Sequence, residues 1–464
     1  DIAQVIARCG CCDGPAKFGA RVSGAWNSGD AESQNPGGRS PQQSGGFMMR
    51  IFKVSSAVAA VLAGAVFIFP VSAATWRVPL DAPTIQAGID LASSGDTVLV
   101  ACGTYYEHDI RMKSGVCLRS ETGEAGCVTI DAQQQDRVIY CRFVANTTRI
   151  EGFTITGGLP PHSMEVRGDG AGLYCVDNSR PRVSNCTFAG NSAVHRGGGA
   201  YCGANSSVAF VGCTFSGNSA AAGSGGGMCF EDNSDVTVTD CIVSDNSNAG
   251  ILVLSSGTAA VFTDCFIYYN PQGGMRCTNR GHVTVTNCRF RGNGEFGSRG
   301  GGIFLAFDGS AAVTDTWFVE NSASSGGGMV LSSGSSATLT NCQFRRNAAN
   351  SNGGALQLSS NGDASSVTLT GCKIFSNSAK YGGGIHLEGS SYLSADTTEF
   401  AGNTASIEGP NGYVEGGSEV DLTCCVPNLI GFAGEGTINL HNEGCFSPIR
   451  KITWGKLKAA YGRR

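Results

Sequence analysis

Phe266 and Tyr268, Arg289 and Arg291, Trp317 and Val319, Gln343 and Arg345, and Lys373 and Phe375 are five pairs at one constant offset. Each pair stands one and three residues after a recurring Cys or Thr, and Tyr269 and Arg346 adjoin. Aromatic faces stack on sugar rings, and guanidinium groups pair bidentately with carboxylates. The chemistry open to Phe266, Tyr268, Tyr269, Arg289, Arg291, Trp317, Arg345, Arg346 and Lys373 is therefore non-covalent recognition of an anionic polymer. The same offsets hold Thr187 and Ala189, then Thr214 and Ser216, on the N-terminal side, and Glu399 and Ala401 on the C-terminal side. A competing explanation is that large residues merely suit an exposed pleated face.

Reactive constellations are scarcer. The six His show no metal spacing, so no metal and no cofactor is expected. Nucleophile elbow, phosphate loop and dinucleotide fingerprint are all missing. The segment from Leu159 to Asp169 carries His162, Glu165, Arg167 and Asp169, and His195 and Arg196 stand in the corresponding place one unit later. Loops on a rigid scaffold carry sites, so this is the place for an acid–base pair if there is one. Cys424, Cys425 and Cys445 lie outside the regular pattern described next and are the disulfide candidates.

What positions these residues is a repeat. Cys186–Phe188–Asn191 recurs as Cys213–Phe215–Asn218, Cys241–Val243–Asn246, Cys265–Ile267–Asn270, Cys288–Phe290–Asn293, Thr316–Phe318–Asn321, Cys342–Phe344–Asn347, Cys372–Ile374–Asn377 and Thr398–Phe400–Asn403. Gly-rich runs such as Gly197–Gly199 and Gly300–Gly302 follow the Asn, and an alternating strand follows the Gly. One strand column reads Leu173, Ala200, Met228, Leu252, Met275, Ile303, Met329, Leu356, Ile385; a second, two residues on, includes Cys202, Phe230, Leu254 and Cys277. A third strand precedes each Cys, with Thr239, Thr263, Thr286, Thr314, Thr340 and Thr370 in register. Each unit of about 26 residues thus holds three short strands and three turns and cannot bury its own apolar face, so units must stack. The fold class is all-β: a single-stranded, right-handed parallel β-helix (solenoid). The Asn column reads as a turn position tolerant of left-handed backbone, with side chains bonded up the stack. The Cys column reads as buried thiols. An apolar face at Ile85, Ile89 and Ala92 predicts a capping helix near 83–92.

Composition agrees. Of 464 residues 68 are Gly, charged residues are only 15%, and the net charge is −5. That excludes helical bundles and coiled coils and leaves no electrostatic case for nucleic-acid binding. Residues 1–47 read as an upstream extension, with Cys9, Cys11 and Cys12 in it, and 48–74 as a signal peptide: basic start, apolar run, small residues at its end. The β-helix spans 75–425, with 426–464 an irregular C-terminal segment ending in a basic tail. Arg450, Lys451, Lys456 and Lys458 beside Trp454 and Leu457 suit an anionic surface. The mature chain is expected to lack a transmembrane segment and to be a monomer that is secreted: extracellular, at the cell surface, or periplasmic.

The body resembles the pectin-lyase-like right-handed β-helix superfamily, whose usual opening looks like Gly95-Asp96-Thr97-Val98 and Gly103-Thr104-Tyr105-Tyr106-Glu107. Its Phe-x-x-Asn and Gly-Gly pairing resembles the repeats of chlamydial polymorphic outer-membrane proteins. Those proteins carry a C-terminal membrane β-barrel, and the residues after Cys425 are too few for one. The resemblance implies polysaccharide chemistry, yet the catalytic motifs of pectin methylesterases, polygalacturonases and pectate lyases are missing. The expectation is a secreted repeat protein presenting an extended face to a polysaccharide or cell-envelope glycan without catalysing a reaction. The alternatives are a lyase or hydrolase acting on a uronate-containing polymer, and a structural surface or adhesion module.

Overall fold

The computed structural model describes residues 72–161, 168–221, 224–295, 297–360, 362–426, 431–441 and Cys445. The upstream extension, nearly all of the signal segment, His162, Glu165, Arg167 and the basic tail lie outside the described residues. Every strand pairing described is parallel, and each strand pairs with its counterpart one coil away. Three long sheets run the length of the molecule. A fifteen-stranded sheet holds the Thr column, a twelve-stranded sheet the Phe column, and a thirteen-stranded sheet the strands that follow the Gly runs; we call them the Thr, Phe and Gly sheets. Four short strands between Ser322 and Glu408 add a minor fourth sheet at one corner.

The interior is a set of columns, because period-2 alternation sends every second residue of each strand inward. Phe188 stacks on Phe215 with ring centroids 4.7 Å apart, and Phe318 stacks on Phe344 at 4.5 Å. The thiols of Cys186, Cys213, Cys241, Cys265, Cys288, Cys342 and Cys372 are all buried and unoxidised.

The Asn column forms a continuous ladder. Asn218 accepts at Oδ1 from both the backbone N–H and the Nδ2 of Asn191, while its own Nδ2 donates to Phe188 O and to Asn246 Oδ1. The pattern repeats coil by coil to Asn403, whose Nδ2 donates to Asn411 Oδ1 only eight residues on. Every hydrogen-bonding site of each amide is used, as burial demands. One expectation is corrected here. The left-handed residue is not the Asn but the one before it: Gly190, Gly217, Asp245, Tyr269, Gly292, Glu320, Arg346, Ser376 and Gly402 all have φ between 55° and 65°. The Asn must keep its amide aimed along the stack, so its neighbour makes the turn.

The Gly runs serve two needs. Gly300 has φ of 68°, the left-handed region that favours Gly. At Gly302 a Cβ would lie 2.4 Å from Gly328 O and 2.7 Å from the Phe318 ring, so Gly there lets coils close on the Phe stack. Where the run shortens, the register corrects the sequence reading. Gly225–Gly227 faces Ala249–Gly250, the pairing shifts between Gly225 and Met228, and Met228 then pairs with Ile251. Ile251 and Val253, not Leu252 and Leu254, therefore fill the core columns.

The N-terminal end is closed as expected. Helix Ile85–Leu91, capped by Thr84, buries Ile85, Gly88 and Ile89. Glu107 accepts from the N–H groups of Ile85 and Gln86 at 2.8 and 3.1 Å. Asp96 accepts from the N–H groups of Ser93 and Ala74 and from the Trp76 indole, which together hold its carboxyl below the usual range. The conspicuous residues of the opening motifs are thus structural ties. Of the three disulfide candidates, Cys424 and Cys445 are bonded to each other. Cys425 is a buried free thiol, because it occupies the next place in the interior Cys column while Cys424, at φ 50°, makes the turn before it. A second disulfide, Cys102–Cys127, joins the first coils on the outside; it lies in irregular coils where no column flags it.

Candidate functional site

The Phe sheet carries its core residues inward and the five pairs outward. Strand register places Phe266, Arg289, Trp317, Gln343, Lys373 and Glu399 in one column, and Tyr268, Arg291, Val319, Arg345, Phe375 and Ala401 in the next. At about 4.8 Å per coil the decorated part is about 20 Å long. Phe266 is 47% exposed, Trp317 41% and Tyr269 51%.

The stripe alternates rings and cations. The Arg289 guanidinium sits 4.7 Å from the Trp317 ring centre and 5.9 Å from that of Phe266, and Arg345 stands 5.5 Å from Phe375. Such stacking orients a guanidinium while leaving its N–H fork free for an acceptor. Arg289, Arg345 and Lys373 form no ion pair among the described residues. Arg291 and Arg346 do: both reach Glu320, at 3.1 and 3.6 Å. The Tyr269 ring lies against Gly292, where a Cβ would come within 2.6 Å of it, so the bare glycine lets that ring lie flat along the stripe. Tyr269, Glu320 and Arg346 hold the left-handed turn that Gly190, Gly217 and Gly292 hold elsewhere. A non-Gly residue there costs free energy.

A second surface went unread in the sequence. The outward residues of the Gly sheet are largely buried: Tyr201, Cys229, Phe304, Val330 and Gln357 are each 6% exposed or less. At its N-terminal end the rings of Tyr140, Tyr174 and Tyr201 stack in series at 5.6 and 5.3 Å, with Arg137 4.6 Å from Tyr174. Beside them Asp169, 1% exposed, lies 2.8 Å from His195 Nδ1, while Arg196 and the Tyr201 hydroxyl both bond Glu231. Burial pushes the Tyr201 and Tyr174 hydroxyls up. Asp169 and His195, from adjacent units, are thus brought together, whereas the Arg196 side chain turns to Glu231 instead.

Toward the C-terminal end the same sheet bears Arg276, Phe304, Val330, Gln357 and His386 in register. Arg276, Phe304, Val330 and Gln357 border two cavities of about 390 and 230 Å³. Burial holds His386 well below the ordinary imidazole range, at about 4, and burial with the nearby Glu415 raises Glu388. No alternation pattern announces this surface, because its members are mixed in type and its cover comes from loops of unequal length.

Parallel coils, three sheets and inward columns define a parallel β-solenoid. The chain belongs to the family described as the right handed beta helix region, whose model matches residues 86–267 and 226–405. Among solved structures, that of PfbA, a surface adhesin of Streptococcus pneumoniae, is similar at 14% identity and a TM-score of 0.39, covering 77% of this chain and 85% of that one. No curated protein matches the chain. No described helix is long and apolar enough to cross a membrane.

Proposed function

We propose that the outer face of the Phe sheet between Phe266 and Phe375 binds an acidic polysaccharide or cell-envelope glycan, and that the protein acts as a monomeric surface-binding module outside the cytoplasm. The observation that carries this reading is the column Phe266–Arg289–Trp317, in which a guanidinium lies between two exposed rings with no carboxylate partner among the described residues. A uronate presents a ring face for the aromatics and a carboxylate for the fork of Arg289 or Arg345. The test is a pull-down on polyuronates with Trp317→Ala and with Arg289→Ala plus Arg345→Ala. Binding by the unmutated protein that falls at least tenfold in both variants supports the reading. No binding by the unmutated protein, or equal binding by both variants, overturns it.

A second reading, cleavage of a uronate-containing polymer, rests on the buried Asp169 carboxylate beside the His195 ring. A buried carboxylate that orients an imidazole is one arrangement for general base work. It predicts new reducing ends or unsaturated uronate from a polysaccharide panel, abolished by His195→Ala. A panel with no product removes this reading and leaves the binding face untouched.

A further inference from the structure

We propose that His386, Glu388 and Glu415 form a binding site for a divalent first-row metal cation of the zinc class. Strand Ile385–Leu387 pairs with Gly412–Val414 in the register His386↔Tyr413 and Leu387↔Val414. Glu388 and Glu415, which follow these strands, therefore stand at adjoining positions one coil apart. One ligand atom from each of His386, Glu388 and Glu415 lies within 4.8 Å of the other two. Like charges at adjoining positions of a sheet are unfavourable. Neither carboxylate has a Lys or Arg within ion-pairing distance among the described residues; Glu388 accepts only from Gln357 Nε2, at 3.2 Å, and Glu415 faces His386 Nε2 at 3.4 Å.

His386 is the independent observation. Its side chain is 1% exposed, its ring lies nearly parallel to that of Tyr413 at 5.5 Å, and its Nδ1 is buried with no hydrogen-bond partner. A buried imidazole left short of partners, held rigid by an aromatic ring and facing two carboxylates, is a pre-formed set of one nitrogen and two oxygen donors. Imidazole with carboxylate suits zinc and its first-row neighbours, whereas calcium takes oxygen ligands alone. Glu415, whose side chain is 45% exposed, has room to swing inward and close the set to coordination distance. Three protein ligands leave a position open. Glu388 also lines the cavity of about 230 Å³ together with Arg299, Ser332, Gln357 and Ser359, which gives a small oxygen-bearing ligand access to it.

The experiment uses the full chain stripped with a chelator, Zn²⁺ as probe, and the isosteric variants Glu415→Gln, Glu388→Gln plus Glu415→Gln, and His386→Gln. Calorimetric titration should show a site in the unmutated protein whose affinity falls at least tenfold in the double variant and in His386→Gln. Zinc taken up elsewhere on the chain is common to all forms and cancels in the comparison. Thermal melts supply a sign reversal that guards against misfolded variants. In chelator Glu415→Gln should melt at or above the unmutated protein, because a like charge is gone. In Zn²⁺ the unmutated protein should gain several degrees by linkage and the variant far less. The same zinc-induced gain in both, or superimposable titrations, overturns the proposal.

Discussion

The coils around Thr187–Ser216 and those around Phe266–Phe375 share the same inward columns. Phe188 and Phe215 occupy the column that Phe290, Phe318 and Phe344 occupy later, and the same Asn ladder runs behind both. Outside they differ completely: Thr187, Ala189, Thr214 and Ser216 on one stretch, rings and cations on the other. The earlier coils show that this fold closes perfectly well with small outward residues. The large residues are therefore not a demand of the coil, and their gathering on five successive coils wants a cause outside the fold.

That comparison can be broken at several levels. The largest effect belongs to what the two stretches share. Asn218→Ala and Asn321→Ala each strand a backbone N–H and an amide of the preceding Asn, and each should lower unfolding free energy by about 4 kcal/mol, read by chemical denaturation. A much larger loss at Asn321 than at Asn218 would mean that the decorated coils are built differently after all. Next comes function without stability: Trp317→Ala should lower polyuronate affinity at least tenfold while changing unfolding free energy by under about 1 kcal/mol, since its ring is 41% exposed. A large stability loss would recast the stripe as packing. Arg346→Gly should act oppositely on the two readouts. It relieves a left-handed turn and forfeits an exposed ion pair of little worth, so stability should rise by about 0.5 kcal/mol while binding weakens. The smallest effect is the converse substitution. Thr214→Arg on the plain stretch should leave stability within about 0.5 kcal/mol, and a greater loss would show that the plain coils cannot carry large residues.

Much of this molecule could be read before its structure, and the reason is physical. A solenoid repeats the same contacts in every coil, so each column appears nine times in the sequence and an error in one coil is outvoted by its neighbours. The Phe, Asn and Cys columns and the outward stripe were legible for that reason. The period points Leu252 inward, but one Gly is missing from the run before it, and a one-residue slip reverses every side chain in the strand. Cys425 stands apart from its column in the sequence because Pro427, not a large apolar residue, lies two places after it. The Cys102–Cys127 bond, the roles of Asp96 and Glu107, and the His386 cluster depend on contacts made once. Nothing in a periodic reading repeats them.

The fold-back of Asn403 onto Asn411 has a consequence for how such a ladder ends. Every amide in the ladder points the same way, so Asn403 Nδ2 would otherwise be a buried donor with no next rung to receive it. Asn411 arrives early, eight residues on rather than a full coil, and takes the donor that a neighbour's amide would have taken. The ladder is thereby closed within the chain, while the Thr and Gly sheets each run on for two more strands beyond it.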